Sequence, residues 1–334
     1  MSGAVPSSFL ALPSIDETLA REVQEGLEQV EKVLRETVTA SDPMLTEAAT
    51  HLLSAGGKRF RATLVLLAAH FGDPTAPELI RAAAVIELTH VATLYHDDVM
   101  DEAELRRGEL SANQRWGNSI AILTGDYVFA RASEMLADLG TDAVRMQART
   151  FGRLVQGQIL ETSGPRGGTD PISHYLQVIA DKTASLIASA AEFGAMFGRA
   201  EPEVVDTITR ACDALGMAFQ LSDDILDVAS ETSDSGKVPG TDLREGVLTL
   251  PMFYAQRSTD PEDARLRELL GRPLDDAETD EALRLLRAHP ALKEARTSLQ
   301  AWADKARAEL ATLPQGAPRS AFEAICDYVV ERSG

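Results

Sequence analysis

The chain has 334 residues and carries 52 acidic against 32 basic side chains, a formal net charge of −20. That balance argues against nucleic acid as the main partner, because phosphate backbones are held by basic surfaces, and it suits a protein that gathers divalent cations. Charged and apolar fractions of 25% and 44% are those of an ordinary globular chain, long enough for one large domain or two smaller ones.

The opening stretch, MSGAVPSSFLALPSIDETLA, lacks a basic segment followed by a long apolar run, so no signal peptide is read there. Residues 1–13 are expected to be a flexible N-terminus. No stretch approaches the ~18 consecutive apolar residues of a membrane span. From there the pattern is helical almost throughout, rich in Ala and Leu and poor in β-branched alternation. Helices are predicted over 14–38, 43–54, 59–71, 76–102, 118–139, 141–162, 171–198, 201–229, 247–257, 262–271, 276–288, 290–312 and 317–332. The acids of SIDETLA supply an N-cap and a negative first turn. The segment ASLIASAAEFGAMFG is small and apolar nearly all round, as in a helix buried within a bundle. No linker divides two cores, so residues 14–334 read as a single all-α domain. Cys212 and Cys326 have no metal-binding spacing and read as free thiols in a reducing, cytoplasmic compartment. Two polar, Gly-rich stretches interrupt the helices, SGPRGGTD and SDSGKVPGTDLREG, and a loop as long as the second is often functional.

Two segments repeat one pattern. In HDDVMD, Asp97 and Asp101 are four apart and share a helix face, with Asp98 beside them; in SDDILD, Asp223 and Asp227 do the same with Asp224. Crowded carboxylates repel unless a cation sits among them. Magnesium takes oxygen ligands and keeps waters while bridging to phosphates. A solvated acidic helix end is the plain alternative, and a lone cluster would favour it. Against it stand the apolar run before Asp97 and the RRG that follows, because the forks of Arg106 and Arg107 match phosphate oxygens. An internal Arg–Asp salt bridge is the competing reading for either arginine. Two such helices facing each other would clamp a leaving diphosphate through several metals.

The basic residues lie elsewhere. SAGGKRFRA places Lys58, Arg59 and Arg61 after a Gly pair and before a helix start, where an anion is approached closely; a phosphate-binding P-loop spacing is absent. Lys182 and Thr183 stand in a helix of small apolar residues, where a lysine needs an anionic partner. Gln220 is one turn before the second cluster, and Lys237 is in the loop after it. His90 lies two turns before Asp97, either a core histidine or a member of the site. His96 is given no chemistry.

The fragments GGKRFR, ELTHVATLYHDDVMDEAELRRG, GQILE, DKTASL, FQLSDDILD and GTDLREGVLTLP occur in the order seen in trans-isoprenyl diphosphate synthases. The resemblance spans roughly residues 20–330. It implies a large helical bundle of the isoprenoid synthase type with a central active-site cavity, acting as a homodimer. The activity it implies is condensation of an allylic prenyl diphosphate with isopentenyl diphosphate. Carried over by position, Asp97, Asp101 and Asp223 hold magnesium with Asp98, Asp224 and Asp227 in support, two or three ions per site. Arg106, Lys182, Thr183, Gln220 and Lys237 surround the allylic diphosphate. Lys58, Arg61, His90 and Arg107 bind isopentenyl diphosphate. The chain departs from the family pattern at Ala62, where proline is frequent, and at Val247, where a basic residue is common.

Thr93 and Thr89 lie one and two turns upstream of Asp97 on its face, with Ala92 beside them. Large aromatics there would stop chain growth early, as in short-chain members of the family. Ala92 and Thr93 leave room, which favours a medium- or long-chain product for a quinone side chain or lipid carrier, with peripheral membrane contact at product release. The alternatives are a synthase of farnesyl or geranylgeranyl diphosphate and a non-catalytic subunit of a heteromeric synthase. The segment TGDYVFARASEML is expected to supply the floor.

Overall fold

The computed structural model describes residues 10, 12, 14–230 and 239–333. Helix α1 (Glu17–Val38) begins where the Asp16 carboxylate accepts the N–H groups of Thr18 and Leu19. It buries Leu19, Val23, Leu27, Val30 and Leu34, one stripe at helical spacing. α2 (Pro43–Ser54) starts in the same way at Asp42, with proline in its first turn. α3 (Phe60–Ala69) and α4 (Leu79–Met100) follow, and both are buried on most sides. Beyond α4 come β1 (Leu105–Arg106), β2 (Glu109–Leu110), α5 (Ala112–Trp116), α6 (Asn118–Leu139) and α7 (Thr141–Ser163). The chain continues through α8 (Pro171–Ile179), a π-helical turn over Ala180–Ala184, α9 (Ser185–Phe197) and α10 (Pro202–Ala229). It closes with α11 (Thr241–Glu245), α12 (Leu250–Gln256), a 3₁₀ turn over Pro261–Asp263, α13 (Ala264–Leu269), α14 (Asp276–Ala288), α15 (Pro290–Leu310) and α16 (Ala317–Glu331).

The all-α class is as the sequence predicts, and the differences are local. The helix predicted over 76–102 runs from Leu79 to Met100, and the one over 171–198 is broken by the π turn. Short helices α5 and α11 form where none is predicted. The hairpin is also unpredicted. Its strands are two residues each, paired as Leu105↔Leu110 and Arg106↔Glu109. Arg107 and Gly108 make the turn, both with positive φ (56° and 81°), which is the twist that suits a two-residue antiparallel turn. Among the described residues no helix is long and apolar enough to cross a membrane.

The residues fall into two compact units. One comprises the chain up to Phe151 with Leu186–Thr209 and Leu313–Phe322. There α4 packs on α1, α3 and α6. The fully buried Tyr95 ties α4 to α2, its hydroxyl donating to the Ala48 carbonyl at 2.5 Å. The other unit comprises Gly152–Ser185, Arg210–Thr312 and the chain from Glu323 onward, with α12 against α8 and α15, and α14 against α11, α13 and α15. Both cysteines lie in this second unit, free and buried.

Candidate functional site

The first acid cluster ends α4. Asp98 is fully buried and accepts from Arg106 Nε at 2.6 Å. Of the two readings of Arg106, the salt bridge to Asp98 is thus the one observed. Burial pushes the Asp98 carboxyl above its ordinary value, and the Arg106 charge works against that push. Its second oxygen, Oδ2, is buried without a hydrogen-bond partner. Asp97 is half-buried and Asp101, at the C-cap, is exposed.

The cations of this unit gather around the Gly-rich loop. Arg107 Nη1 donates to the carbonyls of Leu52 (2.6 Å) and Gly56, so this arginine clasps the end of α2. A side chain at Gly57 would meet that guanidinium at 3.0 Å, and φ there is +144°, so only glycine fits. Arg59, held at φ 46° before α3, turns inward to Glu31 and to the Leu53 carbonyl (3.0 Å). Lys58 is exposed and Arg61 half-buried. Burial, then the charges of Arg61, Arg107, Arg106 and Arg59, hold the His90 imidazole well below its ordinary value, so it is neutral near pH 7. Buried Glu87, one turn earlier on α4, accepts from the Ala62 N–H at 3.0 Å. That bond gives a physical reading of the departure from the family pattern, because a proline at position 62 has no N–H to donate.

Down the α4 face from Asp97, Thr93 is half-buried, Ala92 is 2% exposed and Thr89 is fully buried. Thr89 Oγ1 donates to the Val85 carbonyl and accepts from Gln147 Nε2 of α7 at 2.6 Å. On α6, Gly125 lies so close to α4 that a Cβ would sit 2.4 Å from His96 Nε2 and 3.1 Å from the Ala92 carbonyl.

The second cluster lies near the end of α10. Asp224 is buried and accepts from the Tyr175 hydroxyl and from Gln220 Nε2 (2.8 Å), while Gln220 accepts from Thr183 Oγ1 (3.0 Å). Burial raises the Asp224 carboxyl to about 7, with smaller upward pushes from Asp223 and Asp227, against the two hydrogen bonds. Asp223 pairs with Arg332 at 2.9 Å, and Arg332 also donates to Ser222 Oγ and the Phe219 carbonyl. Asp227 accepts the N–H groups of Thr241 and Asp242, each at 3.1 Å, capping α11. Lys182 and Thr183 belong to the π turn. Lys182 has the anionic partner that its surroundings demand, Glu161 on α7. Gly157 makes that approach possible: a Cβ there would lie 2.6 Å from the Lys182 backbone nitrogen. Lys237 lies outside the described residues.

Tyr175, Glu161, Arg332 and Glu87 are absent from the residues picked by sequence. Glu161 and Glu87 carried a signal, as the last residue of GQILE and the first of ELTHVATLYHDDVMDEAELRRG; Tyr175 and Arg332 act across long sequence separations. The donor set of both clusters is all oxygen, and Asp98 keeps one oxygen unbonded, which fits a hard cation. Among the described residues no three metal-ligating side chains stand ready-grouped.

These features are those of a prenyl-transferring enzyme, and the chain belongs to the polyprenyl synthetase family, whose model matches residues 42–286. Over 321 residues it is 49% identical to the nonaprenyl diphosphate synthase of Mycobacterium tuberculosis, covering 96% of each chain. Among solved structures it is similar to a geranylgeranyl pyrophosphate synthase from Corynebacterium glutamicum, complexed with calcium and isoprenyl diphosphate. That match has a TM-score of 0.86 and 45% identity, covering 96% of this chain and 98% of that one. A decaprenyl diphosphate synthase from Rhodobacter capsulatus matches with a TM-score of 0.86 and 35% identity, covering 95% of this chain and 99% of that one.

Proposed function

We propose that the chain is a magnesium-dependent all-trans polyprenyl diphosphate synthase of medium or long product length, extending an allylic prenyl diphosphate with isopentenyl diphosphate. The observation that carries the reading is the cation group around neutral His90, in which Arg59 and Arg107 bond groups outside the acid clusters while Arg106 is shared with Asp98. A terpene cyclase, with one diphosphate substrate, has no use for it. The 49% identity to a nonaprenyl synthase supports the product class.

Asp97, Asp98, Asp101, Asp223, Asp224 and Asp227 are the residues that would hold two or three magnesium ions. Bound there, magnesium would neutralise the diphosphate and stabilise the charge that develops as it leaves. Arg106, Lys182 and Lys237 bind the allylic diphosphate, and for the first two the substrate phosphate competes with Asp98 and Glu161. Gln220 and Thr183 turn their dipoles toward the allylic cation. Lys58, Arg61 and Arg107 hold isopentenyl diphosphate, and His90, being neutral, donates a hydrogen bond without adding charge. The double bond of isopentenyl diphosphate attacks the allylic carbon, the carbon–oxygen bond to diphosphate breaks, and the released diphosphate takes the proton lost from the resulting cation. The enzyme works as a homodimer in the cytoplasm and touches the membrane peripherally at product release.

The test is product chromatography of the purified chain with magnesium, isopentenyl diphosphate and several allylic starters. Medium- or long-chain products from this polypeptide by itself are expected. A sole product of farnesyl or geranylgeranyl length would overturn the length assignment in favour of the short-chain reading, which the Corynebacterium similarity favours. No turnover without an added subunit would overturn the homomeric one. Thr93→Phe is expected to shorten the product, and an unchanged length would remove Thr93 from the chain pocket.

A further inference from the structure

Two stripes of residues meet the π turn at helical spacing. Arg153, Gly157 and Glu161 follow one another on one face of α7, and Asp213, Gly216, Gln220 and Asp224 do so on α10. The glycines let the backbones touch. A Cβ at Gly157 would lie 2.6 Å from the Lys182 nitrogen and 3.0 Å from the Asp181 carbonyl carbon, and one at Gly216 would lie 2.6 Å from Ala184 Cα. Around the glycines the side chains of the turn are taken one by one: Lys182 by Glu161, Thr183 by Gln220. Asp181 is the member of this run with no part in the chemistry above. It is 4% exposed and both its oxygens are bonded, Oδ1 to Arg153 Nε at 2.9 Å and Oδ2 to Gln177 Nε2 of α8 at 2.7 Å. The Arg153 fork reaches further. Its Nη2 donates at 3.0 Å to the Ala180 carbonyl, the same oxygen that accepts the Ser185 N–H across the turn, and its Nη1 stands 3.8 Å from Asp213 Oδ1. The Ser185 hydroxyl donates to the Asp181 carbonyl at 2.6 Å. A buried ion pair by itself adds little to stability, because desolvation offsets the attraction. This one is distinguished by the backbone that it holds.

We propose that Arg153 and Asp181 are positioning residues for the allylic diphosphate: the pair holds the π turn in the phase that presents Lys182 and Thr183 side by side to the substrate. This role presupposes the synthase reading above. Neither residue touches substrate. Lys182 leaves Glu161 when a phosphate takes it, so the tie through Glu161 is lost at the moment the turn has to stay in place. The tie through Asp181 uses no group for which substrate or magnesium competes, and it survives binding. A planar guanidinium suits the task, since its fork bonds a carboxylate and a carbonyl at once, which an ammonium on a single point does not. π-helical turns are rare and short, and without its outside tie this one is free to shift toward α-helical bonding. Lys182 and Thr183 then move together, and a misplacement on the order of 1 Å is enough to lower the rate about a hundredfold.

The experiment measures steady-state kinetics of the full chain with magnesium for wild type, Asp181→Asn and Arg153→Lys. The allylic diphosphate and isopentenyl diphosphate are varied in turn, with thermal melts alongside. Asp181→Asn keeps the shape of the side chain and removes its charge. Its kcat/KM for the allylic diphosphate is expected to fall about a hundredfold, through a raised KM where Lys182 binds and a lowered kcat where Thr183 and Gln220 face the cation. Its KM for isopentenyl diphosphate is expected to stay within about twofold of wild type. Arg153→Lys, which keeps the charge but not the fork, guards against a folding failure of the first variant and is expected to shift in the same direction by less. A lower melting temperature with unchanged kinetics marks the pair as structural only and overturns the inference. An equal rise in KM for both substrates overturns it too, because the disturbance is then not confined to the π turn. In either case the synthase reading stands. A wild-type chain that makes no prenyl diphosphate overturns the synthase reading itself.

Discussion

Asp97-Asp98-x-x-Asp101 and Asp223-Asp224-x-x-Asp227 share one five-residue pattern, yet the fold treats their buried members in opposite ways. Asp98 is given a cation: Arg106 sits on one oxygen, and the other is left open. Asp224 is given neutral dipoles, Tyr175 and Gln220, while its two neighbouring acids raise its energy further. Asp98 thus keeps a charged partner that a substrate phosphate would have to win over, although burial pushes its carboxyl above the ordinary value as well. The Asp224 carboxyl is raised to about 7. The same letters thus give one buried acid held by a counter-ion and one held by neutral dipoles, and only the three-dimensional neighbours decide which.

The sharpest way to break this comparison is to remove one acid from each side. Asp97→Ala and Asp223→Ala are each expected to lower turnover by about a thousandfold or more with the circular dichroism of the fold retained. Full activity in either would sink the metal assignment for that cluster.

Next in size is the pH response of the metal-free protein. Asp224 goes from an ordinary value of 3.8 to about 7 on folding. Between those limits the folded state binds the proton more than the unfolded chain does, so stability falls as pH rises through the window. The full shift corresponds to at most about 4 kcal/mol. Thermal melts from about pH 5 to about pH 8 should show a declining limb that Asp224→Asn flattens. A limb that persists unchanged in Asp224→Asn would assign it to another group.

Arg106→Gln tests the other cluster. It leaves the buried Asp98 without its cation, an expected loss of about 2–3 kcal/mol once the partial exposure of Arg106 is allowed for. Urea unfolding at neutral pH measures it, and a loss no larger than that of an exposed ion pair would show that Asp98 is not sustained by Arg106. The smallest effect is expected from Tyr175→Phe, which strips one donor from Asp224 for about 1–2 kcal/mol. It should raise the Asp224 titration further, since the bond favours the ionised form. A titration that moves down instead would reverse the assigned direction of that hydrogen bond.

What could be read in advance follows the range of each interaction. The acids stood out because four-residue spacing on a helix is a local fact, and α6 and α10 run over nearly the predicted spans because their patterns are long and uninterrupted. Lys182 also announced its need for an anion by its apolar surroundings. What it bonds, Glu161, lies 21 residues away, and what Asp223 bonds, Arg332, lies 109 residues away in the sequence. No local pattern marks such a pair. The hairpin at Arg107 was illegible for a different reason: two-residue strands have no alternation to detect. Its turn puts a non-glycine residue in the left-handed region, against propensity. Ala62 is the reverse case. From sequence it is only a departure from the family pattern, and the N–H it donates to Glu87 gives that departure a physical meaning.

The π turn at Ala180–Ala184 has a consequence for lineage as well as for geometry. Such a turn accommodates one residue more than an α-helix would at the same place, so it is in effect a single-residue insertion carried inside a helix. Losing one residue from it would heal the hydrogen-bond ladder and leave α8 and α9 as one regular helix. It would also swing one side of the break by about 100° relative to the other. Lys182 would leave Glu161 and Thr183 would leave Gln220. A one-codon deletion here would therefore remove the contacts that tie Thr183 through Gln220 to Asp224, while making the helix itself more regular.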